Sequence, residues 1–198
     1  MWLKFALVGS LLTPLLHVIV LIVNGQDPIA TPISQLSQFK LAYLHTLELT
    51  IFGCAHVALA IALNGLDHGR LWPYARGLLV GSGAALIYIA WYFVSNDQAT
   101  LTAANANDPL WIVASLTGTA IGTLQPGLSR LSPRLGLFSA MCLGIWILLV
   151  PLTFFVNASW LGAYERIVGA IYVIWMVGVS AKLLLLTRDS ATSTPAET

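Results

Sequence analysis

The stretch LAYLHTLELTIFGCAHVALAIAL, Leu41–Leu63, decides how the chain is read. It is long enough to cross the roughly 30 Å hydrocarbon core of a bilayer as a helix, yet it carries His45, Glu48 and His56. At about 100° per residue, His45 and His56 project about 20° apart, with Glu48 about 60° to one side, so the three share one face. A charge facing lipid costs roughly 2.5–3.5 kcal/mol or more, so this face is predicted to point into a helical bundle. Depth then divides the three. His56 lies about 16 Å along the axis from His45, whereas His45 and Glu48 are close enough to act together.

The rest of the chain has the same character. Of 198 residues, 58% are hydrophobic and only 9% charged, with a mean hydropathy of +0.83. Soluble domains carry about 25% charged residues, so the solvent implied here is lipid. Apolar runs of span length fall at about 3–23, 41–63, 75–95, 109–128, 135–156 and 162–186. Asn24-Gly25, Asn64-Gly65, Asn96-Asp97, Gln125-Pro126-Gly127 and Ser132-Pro133 punctuate them. Lys4 ahead of the first run resembles a signal peptide, but the run's length and His17 favour a retained span. The expected fold is all-α: a six-helix integral membrane bundle forming one domain over 1–186, with a disordered Thr/Ser/Pro-rich cytoplasmic tail at 187–198.

Charge placement predicts orientation. Seven of the nine Lys and Arg residues (Lys4, Arg70, Arg76, Arg130, Arg134, Lys182 and Arg188) fall on one side of the predicted spans, and only Lys40 and Arg166 on the other. By the positive-inside rule both termini are cytoplasmic. Trp2, Trp72, Tyr74, Trp111 and Trp160 sit where interfacial anchors belong. Net charge is +1 with no basic stripe, which excludes nucleic acid as a partner. Cys54 and Cys142 lie inside apolar runs and read as small hydrophobes.

The first span adds a third ionisable group. His17 lies about as far from the outer end of its span as Glu48 does from the outer end of the next. Adjacent antiparallel spans pack together, so a direct or water-bridged His17–Glu48 contact is predicted. Pro14 leaves the Ser10 carbonyl without its helical donor one turn earlier, and Pro151 does the same to Ile147 in the fifth span.

Two further segments carry a resemblance. PISQLSQFKLAYLHTLELTIFG, from Pro32, contains Ile33-Ser34-Gln35-Leu36 and ends in Phe52-Gly53; GAYERIVGAIYVIW contains Gly162, Glu165 and Arg166. Together with SPRLGLFSAMCLGIWILL they resemble domain-of-unknown-function family 998, small multi-span membrane proteins of bacteria and archaea. The resemblance implies a helical membrane fold in a bacterial or archaeal cytoplasmic membrane, and no particular activity. The middle departs from the family pattern, because Asn107-Asp108-Pro109-Leu110-Trp111 lacks the histidines often found there.

Both recurring motifs fall on the predicted outer side. Arg166, near the positive end of the sixth helix, needs an acceptor: Asp27, Asp97, Asp108, Gln35 or a lipid phosphate. The Ile33–Gln38 segment is therefore expected to fold over the outer mouth and meet Arg166, capping a pocket lined by His17, His45, Glu48, Tyr88, Trp91 and Tyr92. Candidate binding residues are His17, His45, Glu48, Ser34, Gln35, Tyr92, Asp97, Glu165 and Arg166. The favoured function is binding of a lipid or small molecule. A proton-coupled transporter, a metal-dependent intramembrane hydrolase and a structural scaffold are the alternatives. His17, His45 and Glu48 would be the metal ligands, three with one position open as catalytic zinc requires. Against the hydrolase, the chain has no His-Glu-x-x-His pair.

Overall fold

The computed structural model describes residues 1–38, 42–66, 69–95 and 103–192; at Ser34, Ser37, Gln38, 93–95, 103–110 and 189–192 it describes the backbone alone. The described residues form six α-helices and no strands: α1 Trp2–Asn24, α2 Ala42–Ala62, α3 Trp72–Ser95, α4 Ala103–Leu131, α5 Pro133–Leu152 and α6 Leu161–Thr192. Five of the six are long and apolar enough to cross a membrane. The exception is α4, whose apolar run is diluted by Ser115, Thr117, Thr119, Thr123 and Gln125.

Local chemistry sets the helix ends. Gly25 closes α1 in the left-handed conformation at φ 61°, and its N–H and that of Gln26 reach back to the carbonyls of Ile22 and Leu21. Pro133 starts α5 at the first helical position, where its missing N–H costs nothing. Three boundaries differ from expectation. α4 runs through Gln125-Pro126-Gly127 to Leu131, and only Ser132 separates it from α5. α5 gives way at Leu152, just past Pro151, to a 3-10 turn. α6 continues past Thr187 to Thr192, into the segment expected to be disordered. Trp72 is also not an interfacial anchor: it is buried, and its indole N–H donates to the Leu63 carbonyl at the end of α2.

Each helix packs on its neighbour in sequence, and α6 returns to α1, so the six close into a ring. Two close approaches tighten it. A Cβ at Gly53 would lie 2.6 Å from the Gly83 carbonyl, so the glycine lets the backbones of α2 and α3 touch. Gly118 makes room for the Trp146 indole in the same way.

The interior changes character along its axis. At one end lie the buried His45 and Glu48. Midway, His56, Ser82, Thr117, Trp146, Tyr172 and Trp175 are buried together. Toward the other end, Leu59, Leu63, Leu79, Leu124, Leu128 and Leu183 are at most 1% exposed. One end of the ring is polar, the middle aromatic, and the far end aliphatic.

Candidate functional site

The polar end is built by α1, α2, α6 and the segment joining α1 to α2. Glu48 sits at its centre. Its Oε1 is 3.0 Å from His17 Nδ1 on α1, and its Oε2 is 3.0 Å from His45 Nδ1, one turn back on α2. The His45 and Glu48 side chains are 3% and 5% exposed, and that of His17 is 12% exposed. The predicted His17–Glu48 contact is present, and it is direct.

Arg166 reaches the same group from α6. Its Nε–H donates to His17 Nε2 at 3.0 Å. This fixes the tautomer: guanidinium nitrogens only donate, so Nε2 of His17 accepts and Nδ1 carries the proton that goes to Glu48. A neutral imidazole thus links a guanidinium to a carboxylate, and a second imidazole completes the chain Arg166–His17–Glu48–His45.

The other side of Arg166 holds the connecting segment. Nη1 donates to the carbonyls of Pro28 at 2.9 Å and Thr31 at 2.8 Å. Ile33 N–H donates to Glu165 Oε2 at 2.6 Å, and Ala163 N–H to the Ile29 carbonyl at 2.9 Å. Gly162 makes this contact possible, because a Cβ there would collide with the Thr31 carbonyl. Leu36, fully buried, anchors the following 3-10 turn, Ile33–Gln38, against Val20 and Leu21. The two sequence motifs, Ile33-Ser34-Gln35-Leu36 and Gly162…Glu165-Arg166, are one contact in three dimensions.

One group in this arrangement lacks a partner. Arg166 Nη2 is buried with no hydrogen-bond acceptor. By covalent geometry it shares the Nε edge of the guanidinium, so it faces the His17 side rather than the connecting segment. Asn24 Nδ2, at the end of α1, is a second buried donor without an acceptor.

The predicted site residues thus divide. His17, His45, Glu48 and Arg166 form one hydrogen-bonded chain, and Glu165 caps the adjoining turn. Gln35 lies in that turn, its backbone N–H on the Pro32 carbonyl. Tyr88 and Tyr92 stack with centroids 5.8 Å apart, on a face of α3 where Trp91 is 59% exposed as well; the predicted aromatic lining points outward instead. Asp97 and the side chains of Ser34 and Asp108 lie outside the described residues. The acceptors expected for Arg166 were the side chains of Asp27, Asp97, Asp108 and Gln35 or a lipid phosphate; among the described residues it donates to two backbone carbonyls and an imidazole, which residue type alone cannot signal.

His56 belongs to a separate level. Its Nδ1–H donates to the Phe52 carbonyl at 2.6 Å, and its Nε2 accepts from the Tyr172 hydroxyl. Ser82 and Thr117 bond each other at 2.9 Å and adjoin Tyr172. This knot joins α2, α3, α4 and α6.

A sequence model of the family described as "Protein of unknown function (DUF998)" matches residues 7–182. Among curated proteins and solved structures, nothing matches the chain.

Proposed function

The chain belongs to the DUF998 family, and on that premise we propose that it is a binding protein whose polar end takes the acceptor group of a lipid headgroup or small molecule on Arg166. One observation carries this reading. Three of the five N–H groups of Arg166 are satisfied, and the two on Nη2 are buried without an acceptor. Leaving a buried donor unsatisfied costs about 1–3 kcal/mol, and more for a charged one. An oxygen from a ligand, placed beside His17 and below the Pro28–Thr31 segment, offsets that cost.

Two competing readings are less well supported. The donor atoms of His17, His45 and Glu48 lie within 4.8 Å of one another, close enough to suggest a metal site. Metal-bound histidines normally donate through their other ring nitrogen. Here Nε2 of His17 faces an Arg donor, and Nδ1 holds the proton a metal would have to displace. The fit to a metal is therefore poor. The hydrogen-bonded chain itself favours a proton relay, but among the described residues no hydrogen bond links it to His56 and Tyr172 at the level below, and the far end is lined largely by buried leucines.

The test is lipid and small-molecule retention by the whole protein in nanodiscs, read by native mass spectrometry. Wild type should retain a bound species at near stoichiometry, and Arg166→Gln should lose it; Arg166→Lys, which keeps charge but not the fork, should retain it weakly. Equal retention by all three would refute the proposal. Metal at one equivalent in the purified protein, lost in His45→Ala, would favour the hydrolase instead.

A further inference from the structure

We propose, resting on the binding reading above, that the ligand is a zwitterion: an oxyanion on Arg166 Nη2 and an ammonium group facing Asp27. The reasoning is a charge balance. Around Arg166, the carboxylates of Glu165, Glu48 and Asp27 all lie within electrostatic reach. Every protein acceptor that Arg166 contacts (the Pro28 and Thr31 carbonyls and His17 Nε2) is uncharged. Among these four side chains one guanidinium faces three carboxylates, of which Glu48 is shared with the imidazoles of His17 and His45. An oxyanion satisfies Nη2, but a purely anionic ligand would add a fourth negative charge where an excess already stands.

The carboxylates differ in what they can still do. Glu48 takes an imidazole on each oxygen, and Glu165 is engaged by the Ile33 N–H. Asp27 is exposed at the rim, with Oδ1 on the Ile29 N–H two residues on. It is the carboxylate that an ammonium group can approach from outside. A headgroup with phosphate and ammonium a few atoms apart would bridge the two, phosphate on the buried Nη2 of the half-buried arginine and amine on the exposed aspartate. A soluble phosphate or carboxylate zwitterion presents the same pair.

The full-length protein in nanodiscs of equimolar phosphatidylethanolamine and phosphatidylglycerol tests this. Wild type should retain the zwitterionic lipid by about tenfold over the anionic one. Asp27→Asn keeps the turn, because its side-chain oxygen still accepts from Ile29. It should still bind, with that preference reduced to near parity. Added phosphoethanolamine should displace the lipid if the zwitterion alone is the ligand, and should leave it in place if the acyl chains contribute. Preferential retention of phosphatidylglycerol, or a preference unchanged in Asp27→Asn, would overturn the zwitterion assignment. Retention unaffected by Arg166→Gln would instead sink the binding site beneath it, and so would no retention by wild type.

Discussion

Glu48 holds one imidazole on each of its oxygens, so a conservative substitution cannot spare both bonds. Glu48→Gln replaces one acceptor with an amide NH2, which must face an N–H of His17 or His45 or force a tautomer change. Since Arg166 fixes the His17 tautomer, the conflict should fall on His45 or break the chain. The expected loss is about 1–3 kcal/mol, read as an apparent melting temperature in detergent roughly 2–12 °C lower. An unchanged melting temperature would mean the imidazoles do not both donate to Glu48. Tyr172→Phe makes a useful contrast, because it strips the donor from buried His56 Nε2. It should cost a similar amount while leaving ligand retention intact, since Glu48 and His56 stand about 12 Å apart along α2. At this scale the sequence was partly legible. The cost of ionisable groups in lipid pointed to His17, His45 and Glu48 as partners, and helical periodicity put His56 on the same face but deeper. The Pro28 and Thr31 carbonyls were not legible, because every residue has a carbonyl and nothing in residue type says which ones an arginine will find. Tyr172 was equally hidden among the apolar residues of the sixth span.

The connection between α1 and α2 is held to α6 by backbone as much as by side chains, so glycine chemistry governs it. Gly162→Ala would drive a methyl group into the Thr31 carbonyl and crowd Arg166 Nη1. Overpacking of this kind costs typically about 1–3 kcal/mol. The expected result is a segment 25–38 that is cut faster by protease from the outside of sealed vesicles, with Arg166-dependent binding weakened. Gly77→Ala supplies the control: no atom lies within 4 Å of the added Cβ, and α3 should be unaffected or gain up to about 1 kcal/mol. Comparable protease sensitivity in both variants would remove Gly162 from the account. The elements themselves could be read well from apolar run length, and their errors have local causes. Gln125-Pro126-Gly127 has the composition of a break, yet Pro126 lies within the continuous helix α4. Pro151 does lie within the fifth span, one residue from the end of α5. Tyr88, Trp91 and Tyr92, the expected pocket lining, are exposed instead, and aromatic residues are equally at home against lipid.

As a whole, the described residues form a ring of six helices, five of them long and apolar enough to cross a membrane, with a polar end, an aromatic middle and a largely aliphatic far end. Six crossings follow if α4, packed alongside α3 and α5, is carried through the bilayer by its neighbours despite its hydroxyl-rich sequence. With six crossings, the charge count predicts Asp27 and the connecting segment outside, and Arg70, Arg134 and both termini in the cytoplasm. Membrane-impermeant labelling of single cysteines in a background free of Cys54 and Cys142 should mark position 27 in intact cells, and positions 70 and 134 only after lysis. Labelling of 70 in intact cells would reverse the orientation, and labelling of 70 and 134 on opposite sides would remove α4 as a span. Orientation rests on the ratio of seven basic residues to two, and this labelling decides it. The most direct test of the central claim is a density map of the protein in lipid nanodiscs, inspected at Arg166. The account predicts density for a non-protein oxygen within hydrogen-bond distance of Nη2, beside His17, with the guanidinium still on Pro28 and Thr31. A guanidinium turned to pair directly with Glu48 or Glu165, or an Nη2 satisfied by water alone, would contradict it.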